Sequence, residues 1–398
     1  MNNWQTVALG DVCTLLNGRA YKKNELLSEG KYPVLRVGNF FSNRKWYYSD
    51  LELEENKYCD NGDLLYAWSA SFGPRIWEGE KVIYHYHIWK TKLDEKRINK
   101  RFLYYWFDWD TNQIKSDHGA GSTMIHVTKS SMEKRKLRLP PLPEQKRIVA
   151  ILDKAFEGID TAIANTEKNL ANARELFESY RISTFKTNYI KWPSHKLGDL
   201  TAVQSGGTPL KSVKEYWSDG NIAWYSSGEL NDLYTVAPDK MITQQGLKNS
   251  NARLFPVGSL LIGMYDTAAL KMSILDREAT FNQAVAGAMP KSNINLEFIM
   301  HAINATKDEI LSRRRGVRQK NLSLGKIKDI DIPLPALEQQ DAIVKELMSI
   351  SDETHRLESV YRQKLTALSE LKQSLLNKAF SGELTTIKDD ELRTEEVA

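Results

Sequence analysis

The chain is poor in cysteine and has no long apolar run. Cys13 and Cys59 are the only two cysteines among 398 residues. That is too few for a disulfide framework, so both are predicted to be small buried hydrophobic side chains. No segment approaches the roughly 20 consecutive apolar residues that span a bilayer, and the first residues lack the basic and apolar regions of a signal peptide. These absences favour a cytoplasmic protein without a membrane segment.

Net charge is also small. Lys and Arg number 55 against 51 Asp and Glu, giving a net charge of +4 and a pI near 8.7. This balance permits binding to nucleic acid but does not indicate it. Apolar residues make up 41% of the chain, enough to fill a core in each of two or three domains. The ten Trp and seventeen Tyr concentrate outside two long helical segments, where they suit either a core or base stacking.

No motif for catalysis stands out. The Gly-Lys pair at 325–326 lacks the other features of a nucleotide-binding loop, and the Gly pair at 206–207 lacks the βαβ context of a methyltransferase cofactor site. We interpret the second pair as part of a loop that approaches DNA. His85 and His87 share a face of a predicted strand without a third ligand at metal-site spacing, so structural histidines are favoured. A Glu-Gln-Lys string at 144–146 resembles a nuclease motif but opens a helix, whose N-terminus favours negative charge.

The chain contains an internal repeat. Leu-Gly-Asp at 9–11 recurs at 197–199, and Asn-Gly at 17–18 is answered by Ser-Gly at 205–206. Further matches keep the same order along the chain: Gly62 with Gly258, Phe102 with Phe298, and Gly121 with Gly316. The sequences between them share little. We therefore expect one scaffold that carries two different variable surfaces.

A long helix is predicted to close each repeat. Leu-Pro-Pro-Leu at 139–142 and Leu-Pro-Ala-Leu at 334–337 each precede a run that is rich in helix formers and free of proline. Both runs carry apolar residues at alternating steps of four and three, and the second repeats the first 195 residues later. We assign to this helix seam, or to partner binding, the side chains of Ile148, Leu152, Ile159, Leu176, Ile343, Leu347, Leu357 and Leu368.

Helices of this length, about 60 Å at 1.5 Å per residue, need partners along their whole length. The simplest partner is the other helix, in an antiparallel coiled coil with internal pseudo-two-fold symmetry. The alternative is that each helix packs only on its own globule. Asn169 and Lys364 occupy equivalent seam positions and are interpreted as polar register-setting residues, although Lys364 is also able to reach solvent.

Each globule is predicted to be α+β. Segments near 32–37, 81–88, 221–225 and 259–262 are rich in β-branched or aromatic residues and are bounded by turn residues. We divide the chain into a first globular domain (1–143), a central helix (144–188), a second globular domain (189–335), a C-terminal helix (336–382) and a charged flexible tail (383–398).

Basic and aromatic residues interleave in predicted loops, as in surfaces that bind phosphates and read base edges. The candidate DNA-binding residues are Arg36, Asn39, Arg44, Lys45, Ser69 and Arg75 in the first domain, and Ser227, Glu229, Tyr265, Arg313, Arg314, Arg318, Gln319 and Lys320 in the second. For the stretch from 313 to 321, a solvated helix end running into a turn is the competing interpretation.

Taken together, these motifs resemble the specificity subunit of type I restriction-modification enzymes. The resemblance covers almost the whole chain, from the two Leu-Gly-Asp openings through the Leu-Pro segments and Glu-Gln helix starts at 144–145 and 338–339. It includes Gly-Ser-Thr-Met-Ile at 121–125 and the segment from 376 to 384.

The resemblance implies two target-recognition domains in tandem, each reading one half of an asymmetric bipartite site in double-stranded DNA. The paired helices would set the spacing and dock two methyltransferase subunits that methylate adenine. S-adenosylmethionine, ATP and Mg would be bound by partner subunits, with none held by this chain, and cleavage would need a restriction subunit. Two rivals stay open: an enzyme with a cryptic active site, and a structural coiled-coil adaptor that never touches DNA.

Overall fold

The computed structural model describes residues 4–42, 44–69, 73–117, 127–188, 191–312 and 321–385. The chain forms two compact units, one made of residues 1–166 and 363–398 and the other of residues 167–362. Each unit contains one globule together with segments of both long helices. Within the described ranges, no helix combines the length and apolar character needed to cross a membrane.

The first globule holds two four-stranded sheets and one two-stranded sheet. Its strands are β1 (Gln5–Ala8), β2 (Cys13–Asn17), β3 (Tyr32–Leu35), β4 (Tyr47–Ser49), β5 (Tyr58–Cys59), β6 (Leu64–Ala67), β7 (Gly73–Ile76), β8 (Val82–Tyr84), β9 (Ile88–Leu93) and β10 (Lys136–Leu139). Its helices are α1 (Val37–Phe41), α2 (Lys100–Asp117) and α3 (Lys129–Glu133), and the long α4 (Leu142–Asn188) follows. The strand orders are β2-β9-β6-β7, β4-β3-β8-β5 and β1-β10.

The second globule is built in the same way. Its strands are β11 (Ser194–Lys196), β12 (Val203–Ser205), β13 (Ile222–Tyr225), β14 (Lys240–Ile242), β15 (Leu260–Gly263), β16 (Met272–Ile274), β17 (Ala279–Phe281), β18 (Val285–Ala288) and β19 (Asp331–Pro333). Its helices are α5 (Leu197–Leu200), α6 (Gln244–Lys248), α7 (Leu296–Ala305), α8 (Lys307–Ser312) and α9 (Leu324–Lys328), followed by the long α10 (Leu337–Ser381). The strand orders are β12-β18-β15-β16, β14-β13-β17 and β11-β19.

The strand orders correspond sheet by sheet, except that β5 of the first globule has no counterpart in the three-stranded sheet of the second. This correspondence confirms the predicted α+β class and the internal repeat. In both globules a four-stranded antiparallel sheet lies beside a sheet with one parallel pair, β3 with β8 and β13 with β17. Glycine is required where these sheets meet. A Cβ at Gly18 would lie 2.3 Å from the Tyr84 carbonyl oxygen, and one at Gly206 would lie 2.1 Å from that of Phe281.

Each globule packs on the start of one long helix and the end of the other. In the first unit, Ile148 and Leu152 of α4 and Leu376 of α10 are buried in one core with α2, where Phe102 and Phe380 have ring centroids 5.4 Å apart. In the second unit the rings of Phe298 and Phe185 are equivalent, at 5.2 Å. The alternative in which each helix packs only on its own globule is therefore wrong.

Within each unit the helices pair antiparallel. In the second unit Arg174 pairs with Glu358 at 2.9 Å, and Tyr180 donates to Glu346. The residue number of the partner on α10 falls as the residue number on α4 rises, so the two helices run in opposite directions. In the first unit Lys372 of α10 forms an ion pair with Asp160 of α4.

A buried glutamine ties the start of each long helix to its globule. The Oε1 atom of Gln145 accepts from the Asn99 amide at 2.7 Å, and its Nε2 donates to the carbonyls of Arg97 and Pro140 at 2.8 Å. Gln340 repeats the arrangement with the Asn295 amide and the Pro335 carbonyl, both at 2.9 Å. Because buried polar groups need partners, these bonds account for the Gln of each Glu-Gln helix start.

Replacing Gln340 with Ala is expected to lower the free energy of unfolding by about 2–4 kcal/mol, since each buried group left without its partner costs about 1–3 kcal/mol. The adjacent exposed Gln339→Ala is the matched control and should change stability by less than about 0.5 kcal/mol. Urea unfolding of the full chain measures both. Equal effects of the two substitutions would contradict the proposed tie.

The seam between the helices departs from the predicted heptad at equivalent places in both helices. Ile148, Leu152, Ile159 and Leu347 are buried, and Ile343, Leu357 and Leu368 are half-buried. Leu176, however, is 66% exposed, and its neighbour Phe177 packs on the core instead.

Asn169 and Lys364 are also exposed, while Leu170 and Leu365 lie on the inner side. The assignments of Asn169, Leu176 and Lys364 to the seam are therefore wrong. The physical reason is that a helix with 3.6 residues per turn drifts by about 20° per heptad from a strict seven-residue repeat.

Phe177→Ala should destabilise the chain by about 2 kcal/mol, because its ring removes apolar surface from water. Leu176→Ala, at the adjacent exposed position, should change the free energy of unfolding by less than about 0.5 kcal/mol. Thermal and urea unfolding of the two variants distinguish the observed seam from the predicted heptad, in which Leu176 would be the costly site.

Candidate nucleic-acid interface

The residues after β3 and β8 meet at one edge of the first globule because these two strands are parallel neighbours. Leu35 pairs with Tyr84 in the register, and the amide of His85 donates to the Leu35 carbonyl at 2.9 Å. The next residue after β3 is Arg36. Its side chain therefore lies beside the turn that begins at His85.

This edge opens into a groove of about 510 Å³. It brings together the predicted residues Arg36, Asn39, Arg44 and Lys45 with three that the sequence argument did not select, Tyr47, His85 and His87. Arg36, Arg44 and Lys45 are exposed. None of the described residues that line the groove is acidic, so its charge favours an anionic ligand.

Hydrogen bonds from Asn39 and Arg75 shape the loop around the groove. The Nδ2 atom of Asn39 donates to the carbonyls of Arg44 and Lys45 at 2.8 and 3.3 Å, and Asn39 is only 9% exposed. The Arg75 guanidinium donates to the Phe40 carbonyl. These two predicted contact residues thus hold the loop that carries the exposed cations.

The predicted strand at 81–88 is interrupted. β8 ends at Tyr84 and β9 begins at Ile88, so His85 and His87 lie in a turn and not on one strand face. Burial, with smaller effects of His87 and Arg36, lowers the pKa of His85 to about 4. At neutral pH its imidazole is uncharged and able to both donate and accept a hydrogen bond.

The turn also presents aromatic surface. The side chain of Tyr86 is exposed, and the rings of Trp68 and His87 lie 5.0 Å apart, centroid to centroid. The Nε1 atom of Trp68 donates to the Tyr86 carbonyl at 2.8 Å. In the part of the chain that the structure describes, no group of three or more His, Cys, Asp or Glu is placed to hold a metal ion.

The described residues at the equivalent edge of the second globule include polar and acidic side chains. The amide of Asn282, after β17, donates to the Tyr225 carbonyl at 2.9 Å, as His85 does in the first globule. The short helix Ser227–Glu229 follows β13 there. Both carboxylate oxygens of Glu229 accept hydrogen bonds, one from the Ser226 amide and hydroxyl at 2.7 Å and the other from the Asp239 amide at 3.0 Å.

Comparison with known proteins assigns the family. The family model described as type I restriction modification DNA specificity domain matches residues 1–172 and 189–367. The chain belongs to the type I restriction-modification DNA specificity family.

Two relatives from this family are distant in sequence. The EcoR124I/EcoR124II specificity subunit of Escherichia coli is 26% identical over 272 residues, which are 64% of each chain. Its counterpart from the EcoBI enzyme of Escherichia coli is 22% identical over 96% of this chain and 87% of its own. The alignment thus spans just under two thirds of the first relative and most of the second.

Solved structures share the fold. A chain from a study of complex assembly and conformational transition in a type I restriction-modification system superposes with a TM-score of 0.74 at 18% identity, covering 96% of this chain and 98% of that one. The HsdS subunit of Thermoanaerobacter tengcongensis gives a TM-score of 0.57 at 17% identity, covering 96% and 97%. At these identities the likeness concerns the fold alone.

The remaining predicted contact residues of this specificity-family chain are placed as follows. Ser69 is buried and follows β6, and Tyr265 follows the equivalent β15 and packs half-buried on the second core. Arg313, Arg314, Arg318, Gln319 and Lys320 lie outside the described residues, as do the loop at 118–126 and the tail from 386 onward.

The groove residues Tyr47 and His85, which were not predicted from the sequence, share one feature: each lies at the end of a strand that pairs with β3. Tyr47 opens a strand that pairs with β3, and His85 directly follows the strand parallel to it. A β-strand pattern followed by polar residues marks such an edge only when the pairing of the strands is known. The pairing of β3 with β8 joins segments about 50 residues apart, and the sequence pattern does not reveal it.

Asn39→Ala is expected to destabilise the first globule by about 1–3 kcal/mol, because the carbonyls of Arg44 and Lys45 lose a buried donor. Asn24→Ala, at an exposed position of the same globule, is the control. Hydrogen exchange across the first globule measures the effect locally. Unchanged protection around β3 and β4 would show that Asn39 does not hold the loop.

Proposed function

We propose that this chain is the non-catalytic DNA-reading subunit of a type I restriction-modification complex. Each globule, residues 1–143 and 189–335, would be a target-recognition domain that reads one half of a bipartite site in double-stranded DNA. The observation that carries the proposal is the duplicated topology, which presents the same strand edge twice with different side chains.

The first edge suits DNA because it combines separate functions in one groove. Arg44 and Lys45 are exposed cations fit to contact phosphates, which position a protein on the duplex. The guanidinium of Arg36 lies 5.3 Å from the ring centroid of Tyr47, which limits its orientations. The neutral imidazole of His85 lines the same groove, as does His87, and such hydrogen-bonding groups are able to read base edges.

In the part of the chain that the structure describes, the second edge offers hydroxyl and amide groups. The Oγ1 atom of Thr208 lies 2.6 Å from Oε1 of Gln283 in a hydrogen bond, and Ser227 is half-exposed nearby in the topology. Amides and hydroxyls discriminate bases with little phosphate attraction. We therefore infer that the two domains read different half-sites, because their edges carry different side chains.

The long helices are proposed to set the spacing and to dock two methyltransferase subunits. Leu176 and Leu371 are 66% and 47% exposed and occupy equivalent positions 195 residues apart, one in each compact unit. Their recurrence in register at the same helix position motivates the assignment of both to one kind of contact. An equivalent pair fits two copies of one partner.

Chemistry is assigned to the partners. In this proposal the methyltransferase subunits bind S-adenosylmethionine and methylate adenine, and a restriction subunit uses ATP and Mg for cleavage. The present chain selects the DNA sequence and positions the partner subunits. The complex acts in the cytoplasm, where the DNA lies. Family membership supports this division of labour.

Lys45→Ala in the assembled methyltransferase complex should weaken binding to cognate and non-cognate DNA by a similar factor. It should also reduce the slope of log affinity against log salt by about 1, because one phosphate contact is lost. Fluorescence anisotropy over a salt series measures this, with exposed Lys96→Ala as the control. An unchanged slope would remove this groove from the DNA interface.

Leu176→Asp and Leu371→Asp should each displace one methyltransferase copy, because a charge at the centre of an apolar contact is costly to bury. The double variant should bind none. Native mass spectrometry of the mixed subunits gives the stoichiometry. Ala171→Asp and Thr366→Asp place the same charge on another exposed face of the same helices and should leave both copies bound.

Two copies retained by the double leucine variant would overturn this docking site. This result would not contradict the proposal that the globules read DNA, because the salt-series experiment tests DNA reading separately.

A further inference from the structure

The second compact unit contains a cavity where its globule meets the long helices. It has a volume of about 320 Å³ and lies between the end of α4, helix α7 and the start of α10. Phe177, Arg181, His301, Leu347, Met348 and Ser351 are among the residues that line it. Cavities of this size hold small molecules.

The internal repeat shows how the space arises. Position 351 is equivalent to 156, where the ring of Phe156 packs 5.4 Å from that of Tyr105 in the first unit. Ser351 has no ring to place there. The substitution of Ser for Phe therefore leaves open the volume that an aromatic side chain fills in the first unit.

The polar groups around this point also differ between the units. In the first unit the hydroxyl of the buried Tyr105 donates to Asp153. His301 and Met348 occupy the equivalent positions in the second unit, so the carboxylate partner is replaced by a thioether. The buried Leu376 of the first unit is likewise replaced by Arg181.

Two buried nitrogens of residues that line this cavity have no hydrogen-bond partner among the described residues. They are Nδ1 of His301 and Nε of Arg181. His301 is only 7% exposed. Arg181 uses Nη2 to pair with Glu178, but this leaves its Nε–H unused. Buried polar groups without a partner are rare in folded proteins and call for an explanation such as a bound ligand.

The electrostatic surroundings indicate the charge of that ligand. Burial, followed by the charge of Arg181, lowers the pKa of His301 to about 4, so its imidazole is neutral and able to donate from Nδ1. Burial and Arg181 also lower the pKa of Lys307. Among the residues that line the cavity, Arg181 is the cation, and Asp232 and Asp352 are acidic. A single negative charge fits this balance better than a double one.

We propose that the cavity binds a small monocarboxylate. Its carboxylate accepts hydrogen bonds from Nε of Arg181 and Nδ1 of His301, and its apolar body packs against Phe177, Leu347 and Met348. The site does not depend on DNA reading or on partner subunits. Binding would stabilise the packing of the second globule on the long helices through linkage.

Benzoate is the probe, with benzamide as the uncharged control and phenyl phosphate as the doubly charged one. Isothermal titration calorimetry on the full chain should show saturable binding of benzoate only. In parallel, ¹⁵N-histidine NMR should show a shift of the His301 nitrogens that saturates with the same dissociation constant.

Two variants remove the site by installing residues that the first unit uses. The double variant His301→Tyr with Met348→Asp rebuilds its tyrosine–aspartate pair, and Arg181→Leu restores its leucine. Both should keep the melting temperature or raise it, and should weaken benzoate binding by at least about ten-fold. His355→Tyr, at an exposed position of α10, should bind as the parent does.

Absence of saturable benzoate binding to the parent chain would overturn the proposal. Equal binding of benzamide, or undiminished binding by the folded double variant, would do the same. Preference for phenyl phosphate would overturn the assignment of a monocarboxylate. If Arg181→Leu fails to fold, the double variant decides the outcome.

Discussion

A buried glutamine at the start of each long helix is the constraint on which the rest of the structure depends. Gln145 and Gln340 join the first turn of a long helix to the first turn of the helix that covers the globule's sheet. Because a buried amide tolerates neither a lost partner nor a displaced one, this bond fixes where each globule sits on its helix. The two globules are thus held in the same way although their surfaces differ.

Because both globules are attached to their helices in the same way, their recognition surfaces are able to differ in sequence. The parallel pairs β3–β8 and β13–β17 bring two loop beginnings to one edge in each globule, and the backbone bonds from His85 and Asn282 are equivalent. The side chains on these edges are not conserved between the halves. One edge is basic and aromatic, and the other carries hydroxyls and amides. A scaffold of this kind accommodates a new recognition surface without a new fold.

Much of the architecture could be predicted from the sequence because each short motif occurs twice, in the same order, in the two halves of the chain. The Leu-Gly-Asp openings, the Leu-Pro segments and the 195-residue spacing locate both globules and both helices. The heptad failed at Leu176 because a strict seven-residue period drifts from a real helix, and a single sequence does not show where the seam shifts. The turn at His85 was missed because its aromatic and β-branched neighbours read as one strand.

The candidate groove was predicted in part for the same reason. Arg36, Asn39, Arg44 and Lys45 lie close together in sequence, so interleaved charge and aromatic character reveals them. His85 joins them only through the long-range pairing of β3 with β8. Local pattern does not encode such pairing.

The central claim is that two different readers share one chain, each responsible for one part of the DNA site. Sequencing of methylated adenines in cells that carry this chain and its methyltransferase tests it most directly. It should be done with the native chain and with one whose residues 189–335 come from another family member. The account predicts a two-part motif with a fixed gap, of which the exchange alters one part only. A continuous motif, or an exchange that alters both parts, would contradict it.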